Sequence, residues 1–248
     1  MRVSRQQATL QAVKVGILAD LFDLVLPAEC VCCRRPGSLW CAACRPPPSV
    51  ISTSLGDGPA VCSAGRYDGS LRTALLAYKE RGYRRLAPAL SQYLGHAVSG
   101  LILATGRTVS APLLVPVPSR PRAARERGGD HVLRMAVMIA RRRDLEVRPA
   151  LRLIGPVADS AGLSTSERQA NLSHRMVARL PPPGSPNPTV ILVDDIITTG
   201  ATTTEASRAM AAAGWQVVGA ATIAATVRRW PRDAGRRRTV SGADIAPP

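Results

Sequence analysis

The stretch VILVDDIITTGATTTEAS, residues 190–207, decides the fold because it combines a buried strand, a tight turn and the start of a helix. Two acids, Asp194 and Asp195, follow four apolar residues and precede a run of threonines around a glycine. A second apolar strand candidate, 217–225, follows the Thr/Ala-rich helix. Strands that alternate with helices are typical of a parallel sheet. The sequence therefore predicts an α/β fold with a parallel sheet.

Apolar periodicity elsewhere in the chain supplies the other elements of this fold. They are helices at 8–26, 70–77, 84–98 and 130–142 and a short buried strand at 113–117. Asp130 is placed to cap the last of these helices.

Composition divides the chain into three parts. Residues 1–60 hold the first helix, a cysteine-rich segment and a Pro/Gly/Ser-rich linker, and residues 61–227 form the main domain. The tail 228–248 mixes arginine, proline and glycine without periodicity, which predicts a basic, disordered segment.

The formal net charge is +16, and only Lys14 and Lys79 among the positive residues are lysine. Such a charge favours a polyanionic partner, but an arginine bias in composition explains it equally well. Aromatic residues make up 3% of the chain and supply few stacking surfaces for single-stranded nucleic acid.

The amino-terminal segment does not resemble a signal peptide, because Asp20 and Asp23 interrupt its apolar run. No stretch approaches the roughly 20 apolar residues that span a bilayer. We therefore expect a cytoplasmic protein, in which thiols stay reduced.

The segment CVCCRRPGSLWCAAC, residues 30–44, contains two C-x-x-C pairs. Paired C-x-x-C motifs with a reversing Pro-Gly between them predict a closed, structural Zn²⁺ site with the ligands Cys30, Cys33, Cys41 and Cys44. Cys32 competes with Cys33 as a ligand, and the isolated Cys62 is expected to be a buried thiol.

The turn after the acidic pair has the chemistry of a phosphate site. Thr198, Thr199, Gly200, Ala201 and Thr202 offer hydroxyls and the backbone N–H groups of a helix start, which favour an anion. The adjacent carboxylates suit the vicinal hydroxyls of a ribose and help to hold Mg²⁺ on other phosphates. The predicted ligand is a ribose 5-phosphate. In the alternative interpretation Thr202 and Glu205 form a capping box that needs no ligand.

This stretch resembles the PRPP-binding loop of type I phosphoribosyltransferases, where PRPP is phosphoribosyl pyrophosphate. Together with the C-x-x-C pairs and three further segments, it resembles the ComF family of competence-associated, phosphoribosyltransferase-like proteins over residues 20–226. The further segments are YDGSLRTALLAYKERG (67–82), VPVPSRPRAARERG (115–128) and AGLSTSERQAN (161–171).

The resemblance implies roles for individual residues. Asp194 and Asp195 would contact the ribose hydroxyls, and 198–202 would hold the 5′-phosphate. Ser119 and Arg120 would lie on the pyrophosphate-side loop, Arg168 on a loop that covers the site, and Lys79 is a further candidate for binding PRPP. These positions are read from the matching segments and do not follow from periodicity or spacing.

The chain departs from the family pattern at 127–131, where R-G-F/Y-N-Q is replaced by Arg127-Gly128-Gly129-Asp130-His131. The three histidines form no recognisable nucleophilic or metal constellation with the cysteines, so we expect them to be ordinary residues.

Three functions are compatible with these motifs. The first is a transferase that moves phosphoribose from PRPP to an unidentified acceptor base. The second is a PRPP or nucleotide sensor without turnover. The third, implied by the resemblance and by the charge, is a non-catalytic helper in DNA uptake that binds single-stranded DNA or a helicase partner.

Overall fold

A computed structural model of the chain describes residues 28–55, 58–106, 112–119, 129–155, 174–184 and 188–226. The predicted helix at 8–26, the tail 228–248 and two predicted ligand-binding residues, Arg120 and Arg168, lie outside these residues. The chain forms two compact units, residues 1–46 and residues 47–248. No helix among the described residues is both long and apolar enough to cross a membrane.

The larger unit is built on a five-stranded sheet with the order β1-β2-β7-β6-β3. Its strands are β1 (Ile51–Thr53), β2 (Val61–Ser63), β3 (Leu113–Pro116), β6 (Thr189–Ile197) and β7 (Gln216–Ala225). β1 pairs antiparallel with β2, and all other neighbours in the sheet pair in parallel. The predicted parallel sheet is therefore present, with one antiparallel strand at its edge.

In the described part of the chain four helices accompany the sheet: α1 (Gly69–Glu80), α2 (Ala87–Ala104), α3 (His131–Arg143) and α4 (Ala201–Ala212). A 3₁₀ turn at Arg84–Leu86 precedes α2, so the helix predicted at 84–98 begins three residues later and extends further. The α3 helix starts as predicted, because the Asp130 side chain accepts hydrogen bonds from the amides of Val132 and Leu133.

The side chains of β6 alternate between two faces of the sheet. Val190 and Leu192 belong to the hydrophobic core that contains α4 residues, whereas Ile191 and Val193 are buried outside that core. Because successive strand residues point to opposite faces, Asp194 and Asp195 also face opposite ways. Asp195 shares the face of Ile191 and Val193.

A second, two-stranded sheet consists of β4 (Leu151–Leu153) and β5 (Met176–Ala178), which pair antiparallel. It is attached to α4 through Glu205, a buried acid whose carboxylate accepts the amide of Met176 at 3.0 Å. The guanidinium of Arg208 contacts the same carboxylate at 2.7 Å and the Met176 carbonyl at 3.1 Å. Glu205 thus links the small sheet to the helix that follows β6.

Two elements differ from the sequence prediction. Part of the predicted linker forms β1, because the β-branched residues Ile51 and Thr53 complete the edge beside β2. β6 continues to Ile197, beyond the predicted end at Val193, so the two acids are part of the strand. Parallel pairing with β7 at Asp194, Ile196 and Ile197 maintains this extension.

Candidate functional site

Those predicted ligand-binding residues that the structure describes lie at the carboxyl end of the parallel sheet. Asp194 and Asp195 lie near the end of β6, and Ser119 follows β3, the neighbouring strand. The amide of Val117 donates to the Val193 carbonyl at 2.9 Å and keeps the two strand ends together. Ligands bind at this edge in open α/β sheets.

Gly200 makes the turn from β6 into α4. It adopts a left-handed conformation with φ of 81° and occupies the N-cap position of the helix. A Cβ atom at this position would lie 2.6 Å from a methyl group of Leu55. Both the backbone conformation and the packed leucine therefore require glycine.

The N-cap residue of α4 is Gly200, which has no side chain to cap the helix, and the amide of Ala201 makes only a long contact, 3.4 Å, with the Thr199 hydroxyl. The capping box of the alternative interpretation is not formed, because Thr202 lies inside the helix and Glu205 contacts Met176 and Arg208. The first amides of a helix have no acceptor within the helix. This end of α4 therefore offers its backbone donors and its positive dipole to an anion.

The two acids have different surroundings. Asp195 is 5% exposed, its Oδ2 lies 2.8 Å from the ammonium of Lys79, and the same oxygen accepts a hydrogen bond from His131. Burial alone would raise the pKa of Asp195, but the Lys79 ammonium and the His131 ring hold it below its usual range.

Asp194 is half-buried and uses one carboxylate oxygen to accept the amide of Asp195 at 2.8 Å. Its burial, together with the neighbouring Asp195 carboxylate, raises the pKa of Asp194 well above its usual value. The charged member of the pair is thus held inside the protein by Lys79 and His131. At Asp194 the Lys79 charge also lowers the pKa, but burial and the Asp195 carboxylate outweigh it.

Ser119 is attached to the start of α3 by two hydrogen bonds. Its amide donates to Asp130 Oδ2 at 3.2 Å, and its hydroxyl lies 3.2 Å from Nδ1 of His131. Asp130 therefore caps α3 with one oxygen and positions the Ser119 backbone with the other.

His131 is the site residue that sequence reasoning missed. It is 5% exposed, and its two ring nitrogens contact Asp195 and Ser119. The expectation that the histidines are ordinary residues did not anticipate these two contacts. The available signal was its position: His131 stands where the resembling family has a glutamine, beside the loop that carries Ser119.

The predicted metal ligands are also brought together. In the smaller unit the Sγ atoms of Cys30, Cys33, Cys41 and Cys44 all lie within 4.8 Å of one another, and Cys33 and Cys41 are 3.7 Å apart. Four sulfurs at about 2.3 Å from a tetrahedral Zn²⁺ are about 3.8 Å apart. The cluster therefore fits a metal ion such as zinc.

The turn chemistry of this segment explains the convergence. Gly37, with φ of 112°, reverses the chain between the two pairs, and its amide donates to the Ala28 carbonyl at 2.9 Å. Burial raises the pKa of Cys30, but hydrogen bonds from backbone N–H groups of neighbouring cysteines outweigh it and lower that pKa to about 6. A thiolate, the form that binds metal, is thus favoured at Cys30. Of the two candidates for the same ligand, Cys33 belongs to the cluster and Cys32 does not.

A separate cavity lies at the opposite end of the sheet. It is lined by residues that precede β6 and β7, including Pro183 and Trp215, and by Arg148 and Arg179. None of the predicted site residues within the described ranges lines this cavity, whereas Asp194, Asp195 and Ser119 lie at the carboxyl edge of the sheet.

Comparison with protein-family models gives a match that includes this part of the chain. Residues 150–241 match the family model of the phosphoribosyl transferase domain, a range that includes β4 to β7 and the whole β6–turn–α4 unit. Together with the mostly parallel sheet and the four-cysteine cluster, this match confirms the predicted fold class: a phosphoribosyltransferase-type α/β domain with an amino-terminal four-cysteine module. No curated protein matches the chain.

Proposed function

We propose that the protein binds PRPP and transfers its phosphoribosyl group to an acceptor that the sequence does not identify. The observation that supports this most directly is the β6–Gly200–α4 unit. It combines a carboxylate pair with a helix start whose N-cap residue is a glycine, within the range that matches the phosphoribosyl transferase domain. Threonines 198, 199 and 202 add hydroxyl donors to the backbone amides.

In this proposal residues 198–202 hold the 5′-phosphate and Asp194 accepts hydrogen bonds from the ribose hydroxyls. Ser119 lies on the pyrophosphate-side loop, and Arg120 and Arg168 supply positive charge toward the pyrophosphate. Mg²⁺, when bound with PRPP, neutralises charge on the phosphates. The bond from the ribose C1 to pyrophosphate breaks and a bond to an acceptor nitrogen forms. The protein contributes mainly by positioning and electrostatics.

The four-cysteine cluster has a separate role in the proposal. A Zn²⁺ ion held by four thiolates has no open coordination position, so it would stabilise the fold of the smaller unit and take no part in transfer. Structural zinc of this kind contributes folding free energy directly.

A thermal shift with Mg²⁺·PRPP tests the donor site. PRPP should raise the melting temperature of the parent protein by binding the folded state, and Asp194→Asn should remove most of this rise. Asp68→Asn, an exposed acid on the same domain, is the matched control and should leave it unchanged. The absence of a rise in the parent would contradict both transfer and sensing.

Turnover is tested separately. Release of pyrophosphate that depends on one base from a panel would establish the transferase. A parent that binds PRPP and releases none with any base would instead support a sensor.

The alternative is a ComF-type helper in competence and DNA uptake, and it is favoured by the charge. Arg141, Arg142 and Arg143 form an exposed basic turn at the end of α3. Single-stranded DNA binding would weaken steeply with salt, and replacing all three arginines with glutamine should lower both affinity and salt dependence. Unchanged values would remove the support for this alternative.

A further inference from the structure

The group that the proposed function leaves unexplained is His131. It is the first residue of α3, it is almost completely buried, and it lies between the carboxyl ends of β6 and β3. Its Nε2 contacts Asp195 Oδ2 and its Nδ1 contacts the Ser119 hydroxyl. The ring therefore connects one acid of the pair to the neighbouring loop.

The surroundings of the ring fix its orientation. The Tyr78 hydroxyl donates to the His131 carbonyl at 3.2 Å, and the Tyr78 ring packs edge-on against the imidazole at 6.1 Å. The helix start itself is held by Asp130, which also binds the Ser119 amide. Because the ring cannot rotate freely, its two nitrogens act at defined points.

The contacts also define the donor at each nitrogen. Asp195 is ionised beside Lys79, so it accepts, and Nε2 of His131 donates to it. When the ring is neutral, Nδ1 then accepts a hydrogen bond from the Ser119 hydroxyl. Asp195 receives both Lys79 and His131 on the same oxygen, which anchors this carboxylate on the α1 and α3 side of the sheet.

We infer that His131 is a positioning residue that fixes Asp195 and the Ser119 hydroxyl relative to each other, which leaves Asp194 as the carboxylate that meets the ligand. This inference rests on the proposed function, since it assigns different tasks to the two acids of the PRPP site. It also bears on the departure at 127–131, because the two imidazole nitrogens contact Asp195 and Ser119 at the position where the resembling family has a glutamine.

Serine, histidine and aspartate also occur together in hydrolases, where the serine is a nucleophile. The present arrangement differs in its charges. The Lys79 ammonium shares the Asp195 carboxylate, so that this carboxylate is less able to stabilise an imidazolium. The ring is thus a fixed donor to Asp195 and a fixed acceptor for the Ser119 hydroxyl.

Variants at 131 separate the two contacts. Gln places its amide nitrogen near the position of Nε2 and keeps the donor to Asp195, Asn reaches only toward Ser119, and Leu keeps neither. Isothermal titration with Mg²⁺·PRPP measures the affinity of each variant. The affinity of His131→Gln should lie within about threefold of the parent. His131→Asn and His131→Leu should bind about tenfold or more weakly, which is the loss expected for one charge-assisted hydrogen bond. Equal affinity of parent and folded His131→Leu, or equal weakening by Gln and Leu, would overturn the inference.

A second measurement does not depend on PRPP. In ¹⁵N-histidine NMR spectra of the full chain, Asp195→Asn should shift the Nε2 resonance of His131, and Ser119→Ala should shift its Nδ1 resonance. Unchanged ring resonances in the folded variants would refute the network, as would labelling of Ser119 by a fluorophosphonate. A parent that binds no PRPP but shows both shifts would refute the proposed function and retain the network.

Discussion

The ammonium of Lys79 lies 2.8 Å from Oδ2 of Asp195, and the Asp195 side chain keeps 6% of its surface exposed. The pair joins α1 to β6, two elements separated by more than a hundred residues of chain. A buried carboxylate without a cation is costly, because removal of one partner leaves the other charge uncompensated.

Lys79→Met should therefore destabilise the empty protein by about 3–5 kcal/mol. Arg72→Met is the matched control, since it removes one positive charge from an exposed position of the same helix, and should change the free energy of unfolding by less than about 1 kcal/mol. Chemical denaturation measures both. If Lys79→Met changes the free energy of unfolding as little as the control does, the pair does not stabilise the fold. If the double variant Lys79→Met/Asp195→Asn recovers much of the lost stability, the uncompensated charge of Asp195 is the cause of the destabilisation.

Gly200→Ala should both destabilise the protein and weaken PRPP binding. A left-handed conformation costs a non-glycine residue about 1–3 kcal/mol, and the new Cβ would also press against Leu55. Gly184 has φ of 80°, and a Cβ added there would meet no other part of the protein within 4 Å, so Gly184→Ala carries the conformational cost alone. The thermal shift with Mg²⁺·PRPP should be lost only in Gly200→Ala. An equal loss of stability in the two variants would show that the Leu55 contact has no effect.

Metal analysis of freshly purified protein should find about one equivalent of zinc. Cys33→Ser should lose it, because the cluster is left with three thiolates. Cys32→Ser changes the neighbouring thiol, which is outside the cluster, and should retain the metal. The reverse result would place Cys32 in the metal site.

Glu205→Gln should lower the free energy of unfolding by about 1–2 kcal/mol at neutral pH, since the variant loses the charged acceptor of Met176 and Arg208. Burial acts to raise the pKa of Glu205, but hydrogen bonds from Arg208 and Met176 lower it below its usual value. The stabilisation is therefore complete above the unfolded pKa of about 4.3 and is lost as the pH falls through the lower pKa of the folded state.

The difference between parent and Glu205→Gln in denaturation midpoint, measured across this acidic range, should accordingly narrow as the pH falls. Glu146→Gln provides the control, because Glu146 pairs with Arg148 on the exposed surface, and it should have little effect at any pH. A parent–variant difference for Glu205 that does not depend on pH would contradict this account.

The sequence predicted the parts of the fold that depend on local periodicity and chemistry. Apolar runs located β6 and β7, Asp130 indicated the start of α3, and two C-x-x-C pairs indicated the four-cysteine cluster. Each of these signals lies within a short segment of chain.

The contacts that the sequence did not predict join distant segments. Nothing near Thr202 shows that Glu205 turns toward Met176, 29 residues earlier in the chain, instead of capping its own helix. Similarly, His131 and Asp195 are 64 residues apart, and only the pairing of β3 with β6 brings their segments together. The pattern of residue types along the chain therefore predicts neither the contact of Glu205 with Met176 nor that of His131 with Asp195.

The alternation along β6 has a consequence for how such a site can diverge during evolution. Asp194 and Asp195 are neighbours in sequence, yet their side chains have different surroundings. Asp194 lies at the open edge beside α4, whereas Asp195 contacts Lys79 and His131. A substitution at His131 therefore removes a hydrogen-bond partner of Asp195, whereas a substitution at Lys79 changes the charge near both acids. Adjacent codons in β6 are thus subject to different constraints during evolution.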